Sequence, residues 1–334
     1  MEYDDEVAYH ATRKLYDLSR RLDDRPWCLT VSFTHPHDPY VARRKFWDLY
    51  EDCPALDPQT TAIAFEEQDP HSKRLLEACD HRAFEITGEQ IRRARRGYFA
   101  NISYIDEKVG EILDVLKATR MEEDTIILFL SDHGDMLGER GLWFKMNFFD
   151  GSARVPLMVS APGLDPRLEE TPVCTIDVTP TLCDLAGISM AEVMPWTDGE
   201  SLVPLAKGAA RTSPVAMEYA AEGTITPMVA LRDGRWKYVR CNADPEVLFD
   251  MNADPEEDVN LASDPAHAET LARFRAMADA RWNLDAFDAE VRESQARRWV
   301  VYEALRNGAY FPWDYQPLRA ASERYMRNHM DLNV

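Results

Sequence analysis

The stretch TIILFLSDHGD, residues 125–135, decides the predicted fold. Its first six residues are apolar or β-branched and do not alternate with polar ones, which is typical of a central parallel strand covered on both faces. The run ends at Asp132, His133 and Asp135. Because open α/β sheets bind ligands outside the carboxyl ends of their strands, these side chains mark one edge of a candidate site.

Two further strands are predicted on either side of this one. Residues 29–33 form a short β-rich run that ends at His35, His37 and Asp38, so a second polar cluster follows a strand end. Residues 154–162 form the third apolar run. The sequence therefore predicts that polar groups from two strand ends meet at one edge of a sheet.

Helices are predicted between these strands. Thr87 and Gln90 have the spacing of a capping box, and an apolar residue recurs every three or four positions over the thirty residues that follow. Asp177 or Thr179 is placed to cap another helix that closes at Gly187. Strands alternating with helices predict an α/β fold with a doubly wound mixed sheet flanked by helices.

Composition and charge restrict the possible partners. The chain has 334 residues, 45% of them hydrophobic, and a formal net charge of −21, so we expect a large core and no nucleic-acid partner. The arginines of the long helix lie mostly off its apolar stripe and are interpreted as a solvated face: Arg92, Arg93, Arg95 and Arg96. No apolar run is long enough for a bilayer and no secretion signal is evident, so we expect no membrane association and a cytoplasmic location. The scattered cysteines are expected to be reduced.

The pattern of apolar and polar residues changes near residue 211. Short β-rich runs, with Asp233-Gly234 as a two-residue turn, predict a small antiparallel sheet, and helices are expected at about 265–284 and 285–306. We therefore expect a main α/β domain over 1–210, a subdomain over 211–306, and a tail over 307–334. A tail without periodicity of its own usually packs on its own domain or on a neighbouring subunit, and a homo-oligomer is expected.

The two strand-end clusters point to a divalent cation. Asp132 offers hard oxygen ligands and His133 an imidazole nitrogen, a combination that favours Mn²⁺ over a pure Ca²⁺ cage, with Ca²⁺ and Mg²⁺ left open. Two ligands cannot hold a metal tightly, so further ligands must come from elsewhere. Taken alone, a strand that ends in Asp-His-Gly is more often a turn than a metal site.

Three spaced motifs carry a family resemblance. They are SFTHPHDPY at 32–40, SDHGDMLGERGLWFKMNFFDGSARVPLMV at 131–159 and DVTPTLCDLAG at 177–187. In this order they resemble the sulfatase branch of the alkaline phosphatase superfamily and, within it, bacterial choline sulfatases; the resemblance covers essentially the whole chain. It implies an alkaline phosphatase-like fold and a hydrolase that converts choline-O-sulfate, a small-molecule substrate, into choline and sulfate.

The resemblance also implies roles for particular residues. The family's metal-binding pair falls on Asp132 and His133, its sulfate-binding lysine falls on Lys145, and the histidine of its H-x-P loop falls on His37. A cation together with Lys145 would neutralise charge that develops on the sulfuryl oxygens. His37 would bind the sulfate or give a proton to the leaving alkoxide.

The cationic end of the substrate needs a different environment. A quaternary ammonium group cannot donate a hydrogen bond and is held by aromatic faces and carboxylates. Trp143 and Glu222 are the candidates for this role, and His35 is a candidate for binding the substrate or for orienting its own loop. Most of the aromatic residues around Lys145 are more typical of a hydrophobic core than of an aromatic cage.

One family feature is absent from the sequence. Sulfatases use a Cys or Ser in a C/S-x-P-x-R motif, converted to formylglycine, as the nucleophile, and no residue of this chain lies in such a motif. One partial match, Ser160-Ala161-Pro162-Gly163-Leu164, lacks the arginine. We therefore expect the C-terminal part of a longer enzyme, with a sheet incomplete at its N-terminus, that binds metal weakly and turns over nothing alone.

Two other functions remain open from the sequence. A phosphonate monoester hydrolase or phosphodiesterase of the same superfamily would share the metal-binding strand end and the lysine. A non-catalytic subunit would keep the fold and use its tail for assembly. A site for a trimethylammonium group separates the first alternative from a choline sulfatase.

Overall fold

The computed structural model describes residues 1–308, apart from the side chain of Arg82, and the chain divides into two units, 1–276 and 277–334. The helices of the first unit are α1 (Glu2–Ser19), α2 (Arg44–Trp47), α3 (Pro70–Ala78), α4 (Gly88–Ala118), α5 (Asp150–Ala153), α6 (Val178–Leu185), α7 (Met190–Val193) and α8 (Val203–Ala206). Helix α9 (Ala268–Arg281) begins in the first unit, and α10 (Leu284–Arg306) lies in the second. The strands are β1 (Ile127–Leu130), β2 (Leu157–Ser160), β3 (Val215–Tyr219), β4 (Met228–Asp233), β5 (Trp236–Cys241) and β6 (Val247–Asp250).

Helix α4 is the longest element of the first unit, and its predicted start is confirmed. The backbone N–H of Thr87 donates to Gln90 Oε1 at 2.8 Å, and the N–H of Gln90 donates back to Thr87 Oγ1 at 3.3 Å. The predicted apolar stripe packs against α1 and α2, where Tyr104 and Ile105 join Phe46 in one core cluster. This packing places α1 and the residues before α2 along one face of α4.

The interpretation of Arg95 as a solvent-exposed residue is wrong. Its side chain is only 8% exposed, and its guanidinium donates to the carbonyls of Ala55 and Leu137 at 3.0 and 3.1 Å and to Glu139 at 2.9 Å. Two loop segments cover this side of α4, and their acceptors replace the water that the guanidinium loses. Arg95 therefore fixes the segment that leads to Lys145.

Strands β1 and β2 pair antiparallel, with Ile127 opposite Ser160 and Leu130 opposite Leu157. We expected β1 to be a parallel strand, and this expectation is wrong for its pairing with β2. A parallel return needs a crossover of a dozen or more residues, usually a helix, and the connection here contains only short helical turns. The predicted strand at 29–33 is extended, with exposure alternating along it, but it pairs with no strand among residues 1–308.

The predicted small sheet is confirmed as an antiparallel meander in the order β3-β4-β5-β6. Ala230 of the central strand β4 and Leu248 of the edge strand β6 are both fully inaccessible to solvent. The predicted turn is one residue too early: Asp233 pairs with Trp236, so the two loop residues are Gly234 and Arg235. Gly234 has a φ of +55°, a conformation that a glycine adopts without strain.

Helix α6 ends before Gly187, as predicted, and Gly187 has a φ of +70°. Asp177 occupies the N-cap position, but its carboxylate does not cap the helix. It is fully buried and accepts from the N–H groups of Cys174 and Glu200 and from the guanidinium of Arg211. Asp177 therefore connects the start of α6 to the segment that enters the small sheet.

Several expectations concern the whole chain, of which the structure describes residues 1–308. Within residues 1–308 no helix has both the length and the apolar character needed to cross a bilayer. All six cysteines are free. The boundaries expected at residues 210 and 306 stay predictions, and the tail lies outside the described residues from position 309 onward.

Candidate active site

The loop that carries His37 is anchored by helix α1. Asp4 is fully buried and accepts from the backbone N–H groups of Thr34 and His35, at 2.8 and 3.1 Å, and from Nδ1 of His35. Burial opposes ionisation of Asp4, but these hydrogen bonds outweigh it, and the pKa of Asp4 is lowered. The structure thus shows His35 anchoring its loop, and its role in substrate binding stays a prediction.

Helix α4 supports the same loop at Gly97. A Cβ atom at this position would lie 2.1 Å from the carbonyl oxygen of Tyr40, far inside van der Waals contact. Only a glycine lets the loop approach the helix this closely. The position of His37, three residues before Tyr40, therefore depends on contacts with both α1 and α4.

His37 and Lys145 meet although 108 residues separate them in the sequence. His37 Nε2 lies 3.0 Å from Lys145 Nζ, and His37 Nδ1 lies 3.0 Å from both the carbonyl oxygen and Oδ1 of Asp38. In the neutral ring Nδ1 therefore carries the hydrogen, and Nε2 accepts from the lysine ammonium. The ring of His133 packs edge-on against the ring of His37, with centroids 6.0 Å apart.

The segment around Lys145 has an unusual backbone. Phe144 and Met146, its two neighbours, have φ values of +63° and +83°, and Leu137 and Arg140 also have positive φ. Non-glycine residues in this region are strained and persist only where surrounding contacts fix them. His71 Nε2 donates to the carbonyl of Met146 at 2.7 Å and is one such contact. The contacts that maintain this backbone therefore also fix Lys145 next to His37.

Asp132 and His133 lie just after β1, separated from it by Ser131. His133 Nδ1 lies 2.8 Å from the carbonyl of Gly134, so this nitrogen carries the hydrogen and Nε2 keeps a free lone pair. His133 Nε2 lies 3.6 Å from Asp132 Oδ2. Two ligands of one divalent cation stand about 3–3.5 Å apart when each lies at ~2.1–2.4 Å from the metal. The pair fits a divalent metal.

These two side chains would supply only part of a coordination shell. Across residues 1–308 no group of three or more His, Cys, Asp or Glu side chains is arranged to hold a metal ion. Asp135, the third polar residue of the strand end, is not aimed at the pair. Its Oδ2 accepts from the hydroxyl of Tyr40 at 2.7 Å, and its Oδ1 accepts from two backbone amides.

The ionisation of His37 gives a first testable prediction. Its hydrogen bond to Asp38 raises the pKa of His37 above its usual value of 6.5, against the effects of burial and of Lys145. Folding therefore favours the protonated ring, and this contribution to the free energy of unfolding is present at low pH and fades as the pH rises through the pKa of the folded state. We expect Asp38→Asn to lower the pKa of His37, measured by NMR titration of the chain in EDTA. A pKa that does not fall would contradict this assignment.

The two predicted groups for the ammonium lie in different clusters. Trp143 packs against Tyr40, with ring centroids 6.4 Å apart. Glu222 is exposed and accepts from the hydroxyl of Tyr219 at 3.0 Å, and the ring of Tyr219 contacts His71. Glu222 is thus linked through Tyr219 and His71 to Met146, next to Lys145, whereas Trp143 lies on the side of Tyr40.

Sequence reasoning missed the residues that support the site from a distance. Lys237 of β5 is 2% exposed, donates to the carbonyl of Phe148 at 2.9 Å, and pairs with Asp150 and with Glu257. Lys237 lies two residues before Val239 on the same face of β5, and this spacing was the signal in the sequence that its side chain is buried. Asp4 and His71 offered no comparable signal, because an acidic residue and a histidine near a helix N-terminus are common on protein surfaces.

Comparisons with known proteins add to this geometry. The family model described as Sulfatase matches residues 1–188, the model described as "N-sulphoglucosamine sulphohydrolase, C-terminal" matches 138–281, and the model described as "Choline sulfatase enzyme C terminal" matches 289–334. The choline-sulfatase of Rhizobium meliloti is 67% identical over 340 residues, which cover 100% of this chain and 66% of that protein.

Two more distant proteins are also similar. The multifunctional alkaline phosphatase superfamily protein PehA of Trinickia caryophylli is 30% identical, over 75% of this chain and 54% of that protein. The crystal structure of the phosphonate monoester hydrolase of Agrobacterium radiobacter superposes with a TM-score of 0.69 and 26% identity, over 82% of this chain and 60% of that one. The chain thus spans about two thirds or less of the length of each of these proteins.

Proposed function

The chain belongs to the sulfatase family of the alkaline phosphatase superfamily, whose fold it has, and on that premise we propose that it forms part of an enzyme that hydrolyses choline-O-sulfate to choline and sulfate. One observation carries the proposal: His37, Lys145 and His133 come together from two distant segments at the end of β1. The 67% identity to a choline-sulfatase and the match to the choline sulfatase C-terminal model support this substrate.

Each residue of this group has a role in breaking the S–O bond of a sulfate ester. The ammonium of Lys145 donates hydrogen bonds to the sulfuryl oxygens, on which negative charge grows in the transition state. His37 carries a proton on Nε2 when protonated and gives it to the alkoxide oxygen as choline leaves. Asp38 keeps Nδ1 protonated and directs Nε2 toward the bond that breaks.

Asp132 and His133 would hold a divalent metal ion, which members of this superfamily use and which supplies a Lewis acid for the sulfuryl oxygens. The mixed oxygen and nitrogen ligands support Mn²⁺, with Ca²⁺ or Mg²⁺ as alternatives. The nucleophile is not among the residues of this chain, because no Cys or Ser lies in a C/S-x-P-x-R motif. The attacking group and the remaining ligands must then come from another segment.

Glu222 is the better supported group for the trimethylammonium end. Its carboxylate is exposed, and its contact with Tyr219 connects it to the segment of Lys145. A carboxylate beside the edge of an aromatic cluster gives a quaternary ammonium both charge and apolar surface. Trp143, which packs against Tyr40, remains a proposed aromatic partner.

The proposal is tested in a chimaera in which this chain replaces the matching region of the Rhizobium meliloti choline-sulfatase. We expect the chimaera, expressed with conversion of its cysteine to formylglycine, to release sulfate from choline-O-sulfate. The 334-residue chain alone should release none. A folded chimaera without activity would overturn the proposal, and sulfate release by the pure chain would show that the nucleophile lies within it.

A phosphonate monoester hydrolase is the second candidate, and the superposition on the Agrobacterium radiobacter enzyme favours it. The same chimaera separates the two functions by substrate. A choline sulfatase should prefer choline-O-sulfate to phenyl phosphonate, and Glu222→Gln should reduce kcat/KM for choline-O-sulfate much more than for phenyl sulfate, which has no ammonium group. Preference for the phosphonate ester, unaffected by the substitution at Glu222, would select the second candidate.

We also propose a cellular location and an oligomeric state for the protein. Free cysteines throughout the chain support the reducing environment of the cytoplasm. A homo-oligomer that uses the tail after residue 306 is supported by the match of 289–334 to a separate C-terminal model.

A further inference from the structure

The carboxylate of Asp135 connects the two segments that carry His37 and Lys145. Its Oδ2 accepts from the hydroxyl of Tyr40, which lies three residues after His37, at 2.7 Å. Its Oδ1 accepts from the backbone amides of Leu137 and Phe144 at 2.9 and 3.0 Å. One side chain therefore binds the H-x-P loop and both ends of the segment before Lys145.

The two amides are not ordinary loop donors. Leu137 and Phe144 have φ values of +47° and +63°, so both belong to residues in a strained left-handed conformation. Such a conformation persists only where other contacts hold it. A half-buried carboxylate that accepts from both amides stabilises both conformations at once, and the second precedes Lys145 directly.

We propose that Asp135 is a positioning residue: it clamps the loop of His37 to the segment of Lys145. The clamp sets the distance of 3.0 Å between His37 Nε2 and Lys145 Nζ. The effect of the clamp on kinetics rests on the proposed function. The clamp itself is a property of this chain and is tested without any activity. Both oxygens of Asp135 take part in the clamp, since each accepts a hydrogen bond from a protein donor.

The contact that the clamp creates has a spectroscopic signature. In neutral His37 the hydrogen lies on Nδ1, and Nε2 accepts from Lys145, so the two ring nitrogens have well-separated NMR chemical shifts. If the lysine moves away, Nε2 loses its donor and its shift changes. A change in stability alone does not move these shifts, because they report on the folded molecule.

The test uses the 334-residue chain at a pH well above the pKa of His37, with His37→Gln to assign its signals. Lys145→Met defines the shifts without the contact. We expect Tyr40→Phe, which removes one hydroxyl, and Asp135→Asn to move the signals in the same direction, and the double variant to move them no further than Asp135→Asn. Tyr50→Phe, which breaks a matched 2.7 Å bond to Ser103, should leave them unchanged.

Two results would overturn the inference. If Lys145→Met moves the signals and neither Tyr40→Phe nor Asp135→Asn does, no clamp sets the contact. If Lys145→Met moves nothing, the contact itself does not exist. Neither result depends on activity, so both are distinct from failure of the proposed function.

The chimaera provides the kinetic readout. Because the clamp acts on groups that contact the transition state, Tyr40→Phe should lower kcat about 10- to 100-fold with little change in KM. Tyr50→Phe should change neither constant. A rise in KM at constant kcat would contradict a positioning role, since it would mean that the clamp acts on substrate binding alone.

Discussion

Replacing Lys145 with methionine in the chimaera should lower kcat for choline-O-sulfate by about 10²–10³-fold, the usual effect of removing one donor to a developing oxyanion. Methionine keeps the length of the side chain but lacks the charge. The loss falls on kcat because the sulfuryl oxygens carry more negative charge in the transition state than in the ground state. Steady-state kinetics at saturating substrate measures it.

A control separates this effect from general damage to the protein. Lys73 is half-buried and donates to the carbonyl of Glu66, and Lys73→Met should leave kcat unchanged. Thermal unfolding should show the Lys145 variant to be as stable as the parent, because its strained backbone is held by Asp135 and His71. A Lys145 variant that retains kcat would remove this lysine from the proposed mechanism.

The largest effect on stability is expected from Lys237→Met. Lys237 lies in the small sheet, and its ammonium compensates the carboxylates of Asp150 and Glu257. Glu257 is 3% exposed; burial raises its pKa, while Lys237 opposes this effect. Removing one partner of a buried ion pair leaves a charge without compensation, so we expect the free energy of unfolding to fall by about 3–5 kcal/mol. Urea-induced unfolding of the chain measures it.

Two further variants make this prediction specific. Lys45 pairs with Glu107 at the surface, and Lys45→Met should cost about 0–1 kcal/mol, since exposed ion pairs contribute little. Adding Glu257→Gln to Lys237→Met should recover part of the loss, because the second substitution removes the uncompensated charge. If the Lys237→Met variant is as stable as the parent, the buried pair of Lys237 and Glu257 is not charged.

The local elements of this protein were predictable from its sequence. The capping box at Thr87, the end of α6 before Gly187 and the meander after residue 211 each depend on residues close together in the chain. The turn after Asp233 was placed one residue early, because the register of a hairpin depends on which residues pair as well as on the glycine. The exposure predicted for Arg95 was wrong because loops from elsewhere cover it.

The candidate site was predicted residue by residue, but its geometry was not. The motifs named His37, Lys145, Asp132 and His133, and the structure brings the first two within 3.0 Å and packs His133 against His37. It does not bring Trp143 and Glu222 into one cluster. It also adds Asp4 and Lys237 as supports, which no motif indicated.

The sequence by itself determined which side chains end β1 and which residues begin and end the helices, because periodicity, caps and glycines act over a few residues. Only the tertiary structure decided that Asp135 binds Tyr40 and that Lys237 is buried beneath the segment of Lys145. Those contacts join residues that lie 95 and 89 positions apart. They form only when whole helices, strands and loops pack together, and the spacing of residues within one segment does not predict that packing.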